Sequence, residues 1–136
     1  MRYLHTMFHV ADLEKSIRFY TEVVGLKVHI KRENPEGRYT LVYLGYGGIT
    51  EPFLELRYNW DTKEYDHGNA FGHIAFSVKD INEACKKIEE GGGRITREPM
   101  QMKHRKSIVA FAEDPDSYTI ELVQRPGKST NEQPEA

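Results

Sequence analysis

Two short stretches in which apolar and polar residues alternate, each running at once into a helical pattern, set the rhythm of the chain. The first covers Leu4 to Val10. After it, Asp12 is placed to cap a helix whose apolar positions Leu13, Ile17, Tyr20 and Val24 recur at helical spacing, and Gly25 supplies a left-handed C-terminal turn. The second covers His73 to Val78. There Asp80 is the cap, Glu83 completes a capping-box-like pattern, Ile81, Ala84, Cys85 and Ile88 form the stripe, and Gly91-Gly92-Gly93 ends it. Each helix is followed by three β-rich segments: Lys27 to Ile30, Tyr39 to Leu44 and Pro52 to Tyr58, then Arg94 to Arg97, Ser107 to Ala112 and Tyr118 to Val123. The order is βαβββ, twice. From Arg125 to Ala136 no large apolar residue occurs, so residues 126–136 read as a flexible, solvated tail.

The two halves also match residue by residue. His5-Thr-Met-Phe-His-Val10-Ala-Asp12 aligns with His73-Ile-Ala-Phe-Ser-Val78-Lys-Asp80 at an offset of 68, and Leu54-Glu55-Leu56 aligns with Ile120-Glu121-Leu122 at an offset of 66. Common order and near-equal offset point to an internal duplication. The fold class expected is therefore α+β: one domain over 1–125 built from two tandem modules, about 1–62 and 69–125.

Strand parity then orders the side chains. Leu4, Phe8 and Val10 share one face and His5, Met7 and His9 the other. Leu54, Leu56 and Tyr58 oppose Phe53, Glu55, Arg57 and Asn59. Ile74, Phe76 and Val78 oppose His73, Ala75 and Ser77, and Tyr118, Ile120 and Leu122 oppose Thr119, Glu121 and Val123. One face of each module is apolar enough to hold a helix. The other carries a histidine on its first strand and a glutamate on its last.

Composition narrows the function. Of 136 residues, 38% are hydrophobic and 29% charged, and the net charge of −2 offers no basic excess to hold a phosphate backbone, so nucleic acid is not an expected partner. Nothing resembles a signal peptide or approaches the roughly 20 apolar residues of a membrane span; a cytoplasmic protein is expected. The single cysteine, Cys85, lies on the helical stripe and reads as core, which excludes a disulfide framework.

A lone strand histidine is usually a hydrogen-bonded surface residue, and a lone strand glutamate is usually solvated. A duplicated unit that supplies His5, Glu55, His73 and Glu121 is harder to read that way. Two carboxylates gathered on one surface repel each other unless a cation lies between them, and two imidazoles with two carboxylates make a mixed N/O ligand set for a divalent metal. Four protein ligands leave two positions of an octahedral ion for water or substrate oxygens.

The segments Leu4 to Met7 (LHTM), Asp12 to Val28 (DLEKSIRFYTEVVGLKV), Leu44 to Gly47 (LGYG), Leu54 to Trp60 (LELRYNW), Phe71 to Val78 (FGHIAFSV) and Ala110 to Val123 (AFAEDPDSYTIELV) together resemble the glyoxalase I (lactoylglutathione lyase) family of the vicinal oxygen chelate superfamily. The resemblance runs from residue 1 to about 125. It implies two βαβββ modules forming a curved sheet around a metal, usually in a homodimer in which His5 and Glu55 of one chain meet His73 and Glu121 of the other. It also implies isomerisation of the hemithioacetal of methylglyoxal and glutathione to S-D-lactoylglutathione, a detoxification of methylglyoxal. In that chemistry Glu121 matches the base that moves a proton between adjacent carbons, and Glu55 holds the metal from the opposite side.

The short chain and the histidine at the first ligand position resemble the nickel- and cobalt-activated type of the family more than the zinc type, so Ni2+ is the expected ion, with Co2+ and Zn2+ as alternatives. Asn59 matches the family's amide contact to glutathione, and the basic run Lys103 to Lys106 falls in a loop that often closes over the glycyl end. At His9 the sequence departs from the pattern, because the family commonly has Arg there for a glutathione carboxylate; His9 is nevertheless the expected substrate contact at that position. Ser117 stands where the family has Gly. Rival readings are an extradiol dioxygenase or fosfomycin-modifying enzyme, which typically use three protein ligands, an epimerase acting beside a thioester, and a metal-free binding module.

Overall fold

The computed structural model describes residues 1–48, 50–127 and 130; most of the expected 126–136 tail lies outside the described residues. The chain divides into a unit spanning Met1–Gly68 and a second that begins at Asn69.

In the first unit β1 (His5–His9) leads into α1 (Leu13–Arg18), which continues as a π-helical turn over Phe19–Val23, and then come β2 (Lys27–Asn34), β3 (Tyr39–Gly45) and β4 (Phe53–Asn59). The sheet order is β1-β4-β3-β2, with β1 and β4 parallel and the other pairs antiparallel. The second unit repeats this with β5 (Ile74–Ser77), α2 (Ile81–Glu90), β6 (Arg94–Gln101), β7 (Ile108–Glu113) and β8 (Thr119–Gln124) in the order β5-β8-β7-β6. The architecture is α+β, two four-stranded sheets with few helices, and neither sheet closes into a barrel. The repeat extends to irregularities: β2 shifts register between Val28 and Ile30, and β6 between Ile95 and Arg97. A second shift in β6, between Arg97 and Met100, accommodates Pro99, which cannot donate to a ladder and is tolerated on this edge strand.

Both helices start where a carboxylate satisfies the first free backbone N–H groups. Asp12 accepts from the Lys15 N–H at 3.1 Å, and Asp80 accepts from Asn82 and Glu83 at 3.0 Å each. Glu83 turns to Lys87 at 3.0 Å instead of reaching back to the cap. α2 buries Ile81, Cys85 and Ile88, as its spacing predicts. Burial raises the Cys85 thiol pKa, the carboxylates of Glu98 and Glu89 add to the shift, and the residue is core.

The first helix departs from expectation. After Arg18 the backbone widens, with the Val24 N–H bonding the Phe19 carbonyl five residues back at 3.2 Å. That extra residue in the turn shifts the positions that follow it, Val24 among them. Leu13, Ser16, Phe19 and Tyr20 are buried, whereas Ile17 and Val24 are only half-buried. Gly25 follows at φ +86°, as the sequence requires.

Along β3 and β4 the helix-facing positions Thr40, Val42, Leu44 and Leu56 are buried. Leu4 is an exception to the parity reading, since it lies before β1 and is exposed. Among the described residues no helix is long and apolar enough to cross a membrane.

The turn before β8 is built around Asp114, a buried carboxylate that accepts from the backbone N–H groups of Asp116 at 2.8 Å and Tyr118 at 2.9 Å. Its geometry puts Ser117 at φ +68°, a conformation that costs a residue with a Cβ roughly 1–2 kcal/mol. Ser117→Gly is expected to stabilise the protein by about 0.5–1 kcal/mol after allowing for the greater freedom of glycine in the unfolded chain. A thermal melt should show a rise of a few degrees, and an unchanged or lower midpoint would mean that the turn carries no such strain.

Candidate metal centre

Each unit brings one histidine and one glutamate together. In the first, His5 at the start of β1 and Glu55 in the middle of β4 lie diagonally on one face, because Met7 is the residue directly opposite Glu55. His5 Nε2 is 2.8 Å from Glu55 Oε2. In the second, Ala75 is directly opposite Glu121, and His73, one residue before β5, reaches along the same diagonal. His73 Nε2 is 3.1 Å from Glu121 Oε2. Both histidines belong to edge strands or their approach, since β1 and β5 each pair with a single neighbour.

The structure thus pairs His5 with Glu55 and His73 with Glu121, each pair inside its own unit. Among the described residues no group of three or more His, Cys, Asp or Glu lies close enough to hold an ion. A pair supplies two donors, one nitrogen and one oxygen, aimed at each other across a gap of hydrogen-bond length. This donor chemistry fits a share in a divalent N/O site; two donors alone leave such a site incomplete.

The pairs differ in one functional group. Tyr43 is the cross-strand partner of Glu55, and its ring meets His5 edge-on at 5.6 Å. Phe111 is the cross-strand partner of Glu121, and its ring meets His73 edge-on at 5.7 Å. Burial raises the Tyr43 phenol pKa, and the charge and hydrogen bonding of Glu55 raise it further, so the phenol stays a neutral donor beside that carboxylate. Phe111 offers Glu121 no donor. Exposure follows the same division, with the Glu55 side chain 8% and the Glu121 side chain 22% accessible. Beside His5 a cavity of about 240 Å³ opens, walled by Leu4, Ile30, Tyr43 and Phe53, with Arg2 and Glu51 at its margin.

Of the expected substrate contacts, His9 and Asn59 lie farther along the first unit's site face. The His9 ring stacks on Tyr65 at 4.9 Å, and the Asn59 amide donates to the Tyr65 hydroxyl at 3.0 Å. Lys103 to Lys106 form an exposed turn between β6 and β7. Sequence reasoning had not singled out Tyr43, Phe111, Arg57 or Tyr65. For the first two a signal existed, since Tyr43 and Phe111 are separated by the same 68 residues as His5 and His73.

The Glyoxalase/Bleomycin resistance protein/Dioxygenase superfamily model matches residues 2–122. Lactoylglutathione lyases of Neisseria meningitidis are 51% identical over 126 residues, covering 92% of this chain and 91% of theirs. That of Salmonella typhimurium is 52% identical over 125 residues, covering 91% and 93%. Among solved structures, glyoxalase I from Zea mays superposes with a TM-score of 0.85 at 42% identity; the match covers 91% of this chain but only 44% of the maize chain. The trypanothione-dependent glyoxalase I of Leishmania major gives a TM-score of 0.79 at 43% identity, over 91% and 86%. Matches of this identity over nearly the whole chain place it in the glyoxalase/bleomycin resistance protein/dioxygenase superfamily, to which it belongs as a relative of the lactoylglutathione lyases.

Proposed function

We propose that this protein is a metal-dependent lactoylglutathione lyase, which isomerises the hemithioacetal of methylglyoxal and glutathione to S-D-lactoylglutathione. The observation that carries the reading is the repeated His/Glu pair, set at the same register on two sheets of the same topology, in a chain about half identical to enzymes of that name. His5, Glu55, His73 and Glu121 would together hold one divalent ion, Ni2+ by preference, with Co2+ or Zn2+ possible. Such an ion supplies Lewis-acid stabilisation to negative charge that develops on neighbouring oxygens.

The rest of the chemistry falls to the side chains. Glu121 takes the proton from the carbon that bears sulfur and hydroxyl, then returns it to the adjacent carbon, while the hydroxyl proton passes to the former ketone oxygen, and the hemithioacetal becomes the thioester of a 2-hydroxy acid. Two features favour Glu121 over Glu55 for this role. Its carboxylate is the more accessible, and its cross-strand neighbour Phe111 has no hydroxyl to occupy an oxygen. Glu55, buried and backed by the Tyr43 phenol, is held as a ligand. The cavity walled by Leu4, Ile30 and Phe53 suits the methyl end of the substrate.

Neither pair is a complete site, and exposed apolar side chains flank both histidines: Tyr3, Leu4 and Met7 beside His5, and Phe71 beside His73. Both facts support a homodimer in which each site takes one pair from each copy. The cytoplasm is the proposed location, since glutathione is the reducing thiol of that compartment and keeps a cysteine such as Cys85 reduced.

Metal analysis of the purified protein, followed by an absorbance assay for thioester formation from methylglyoxal and glutathione, tests the proposal. Thioester should form only with a divalent ion, and a metal-stripped sample should regain more activity from Ni2+ or Co2+ than from Zn2+. No thioester with any of the three would exclude this function; best recovery with Zn2+ would overturn the nickel assignment alone.

A further inference from the structure

We propose that Arg57 is the residue that selects the thiol portion of the substrate, by binding a carboxylate of that thiol; the inference rests on the functional reading above. Arg57 lies two residues beyond Glu55 on β4, on the same face and roughly 7 Å farther along the strand. It is half-buried, sits directly across from His9 on β1, and has its guanidinium 4.0 Å above the ring of Tyr39. Its Nε–H donates to the Asn59 side-chain oxygen at 3.2 Å, and Asn59 is held in turn by Tyr65. Among the described residues no carboxylate lies within ion-pair distance of it, and its terminal nitrogens donate to no protein acceptor.

A guanidinium held over a ring and anchored through its Nε–H keeps its terminal N–H groups available, and these suit a grip on a carboxylate. Of the residues on this face of β1, β3 and β4, Arg57 alone carries a permanent positive charge. Arg32 on β2 is two strands away, beyond Leu41, and is exposed. His9 in the facing position carries an imidazole, which lacks the planar fork of donors that a guanidinium presents. Stacked on Tyr65, it forms a side wall of the subsite.

Comparison of the two modules removes the main structural alternative. If the fold needed a cation at this register, the duplicate would keep one. The second module repeats the His/Glu pair yet has Val123 opposite Ser77 where the first has Arg57 opposite His9. The metal-binding chemistry is duplicated and the Arg57 cluster is not, as expected when only one end of an asymmetric substrate is charged there.

The test is steady-state kinetics with hemithioacetals of three thiols: glutathione, the analogue whose γ-glutamyl group is replaced by 4-aminobutyryl and so lacks the α-carboxylate, and glutathione amidated at its glycyl end. The native protein should favour glutathione over one analogue by about tenfold or more in kcat/KM, through KM, and that analogue identifies the carboxylate. In Arg57→Met the discrimination should collapse, and in Arg57→Lys, which keeps charge without the planar fork, it should be partly restored. Equal use of all three thiols by the native protein would overturn the proposal whether or not the variants fold. Full discrimination retained in a folded Arg57→Met would overturn it as well. Absence of turnover with every hemithioacetal would instead remove the functional reading itself, and this proposal with it.

Discussion

Glu121→Gln should leave a folded protein that still binds its divalent ion but isomerises the hemithioacetal some 10²- to 10⁴-fold more slowly, the range general-base groups contribute. The amide has nearly the shape of the carboxylate and keeps an oxygen donor beside His73 Nε2, so the second pair persists as a half-site. What disappears is the ability to take a proton from carbon. The same change at Glu55 should act differently. Glu55 is buried against Tyr43, and Glu55→Gln should lower metal content before it lowers the turnover of whatever enzyme remains loaded. Turnover per bound metal, measured for both variants, separates the roles. Near-native turnover by metal-loaded Glu121→Gln would remove Glu121 from the mechanism and shift attention to Glu55.

His5→Ala and His73→Ala should each abolish most activity, since loss of a direct ligand exceeds the 10- to 100-fold that loss of a supporting contact costs a metal site. A mixture of the two should behave otherwise. If each site takes His5 and Glu55 from one copy and His73 and Glu121 from its partner, half of the dimers in a randomly assorted mixture carry both variants, and each of those has one intact site. Co-expression should then restore about a quarter of native activity and of metal content. A mixture as inactive as its parents would show that each chain completes its own centre, with the apolar residues around His5 and His73 covered in another way.

Much of this molecule is readable from residue order. The repeat is visible because the duplicated segments serve the same local purposes: Asp12 and Asp80 cap helices, Phe8 and Phe76 face inward, and Glu55 and Glu121 stand at the same step of the last strand. Strand parity also assigned the face of each metal-binding candidate correctly, because a period of two leaves a side chain only two directions. The inward stripe of α1 was less legible. Ile17 and Val24 fit a 3.6-residue period, but Ser16 and Phe19 are buried instead, and the π turn at Phe19–Val23 admits an extra residue that shifts Val24 out of the stripe. Pattern matching assumes constant pitch, and a local widening is decided by packing. The lengths of β2 and β6 were similarly underestimated, because their charged outer halves look like loop while their backbones pair with β3 and β7.

The sequence by itself determined the α+β class, the two modules, the helix boundaries and the four metal-binding candidates. The class and the helix boundaries follow from short-range rules of periodicity, capping and parity, and the modules and the four candidates from the match between the two halves at offsets of 68 and 66 residues. Only the tertiary structure decided which candidates meet. It joined His5 to Glu55 across fifty residues and His73 to Glu121 across forty-eight, gave one carboxylate a phenol and the other a phenyl ring, and set Arg57 on Tyr39 facing His9. Cross-strand register and burial arise from the whole sheet at once, so the difference between two copies of the same His/Glu pair, one buried beside a phenol and the other more accessible beside a phenyl ring, rests on neighbours that lie far away in the chain.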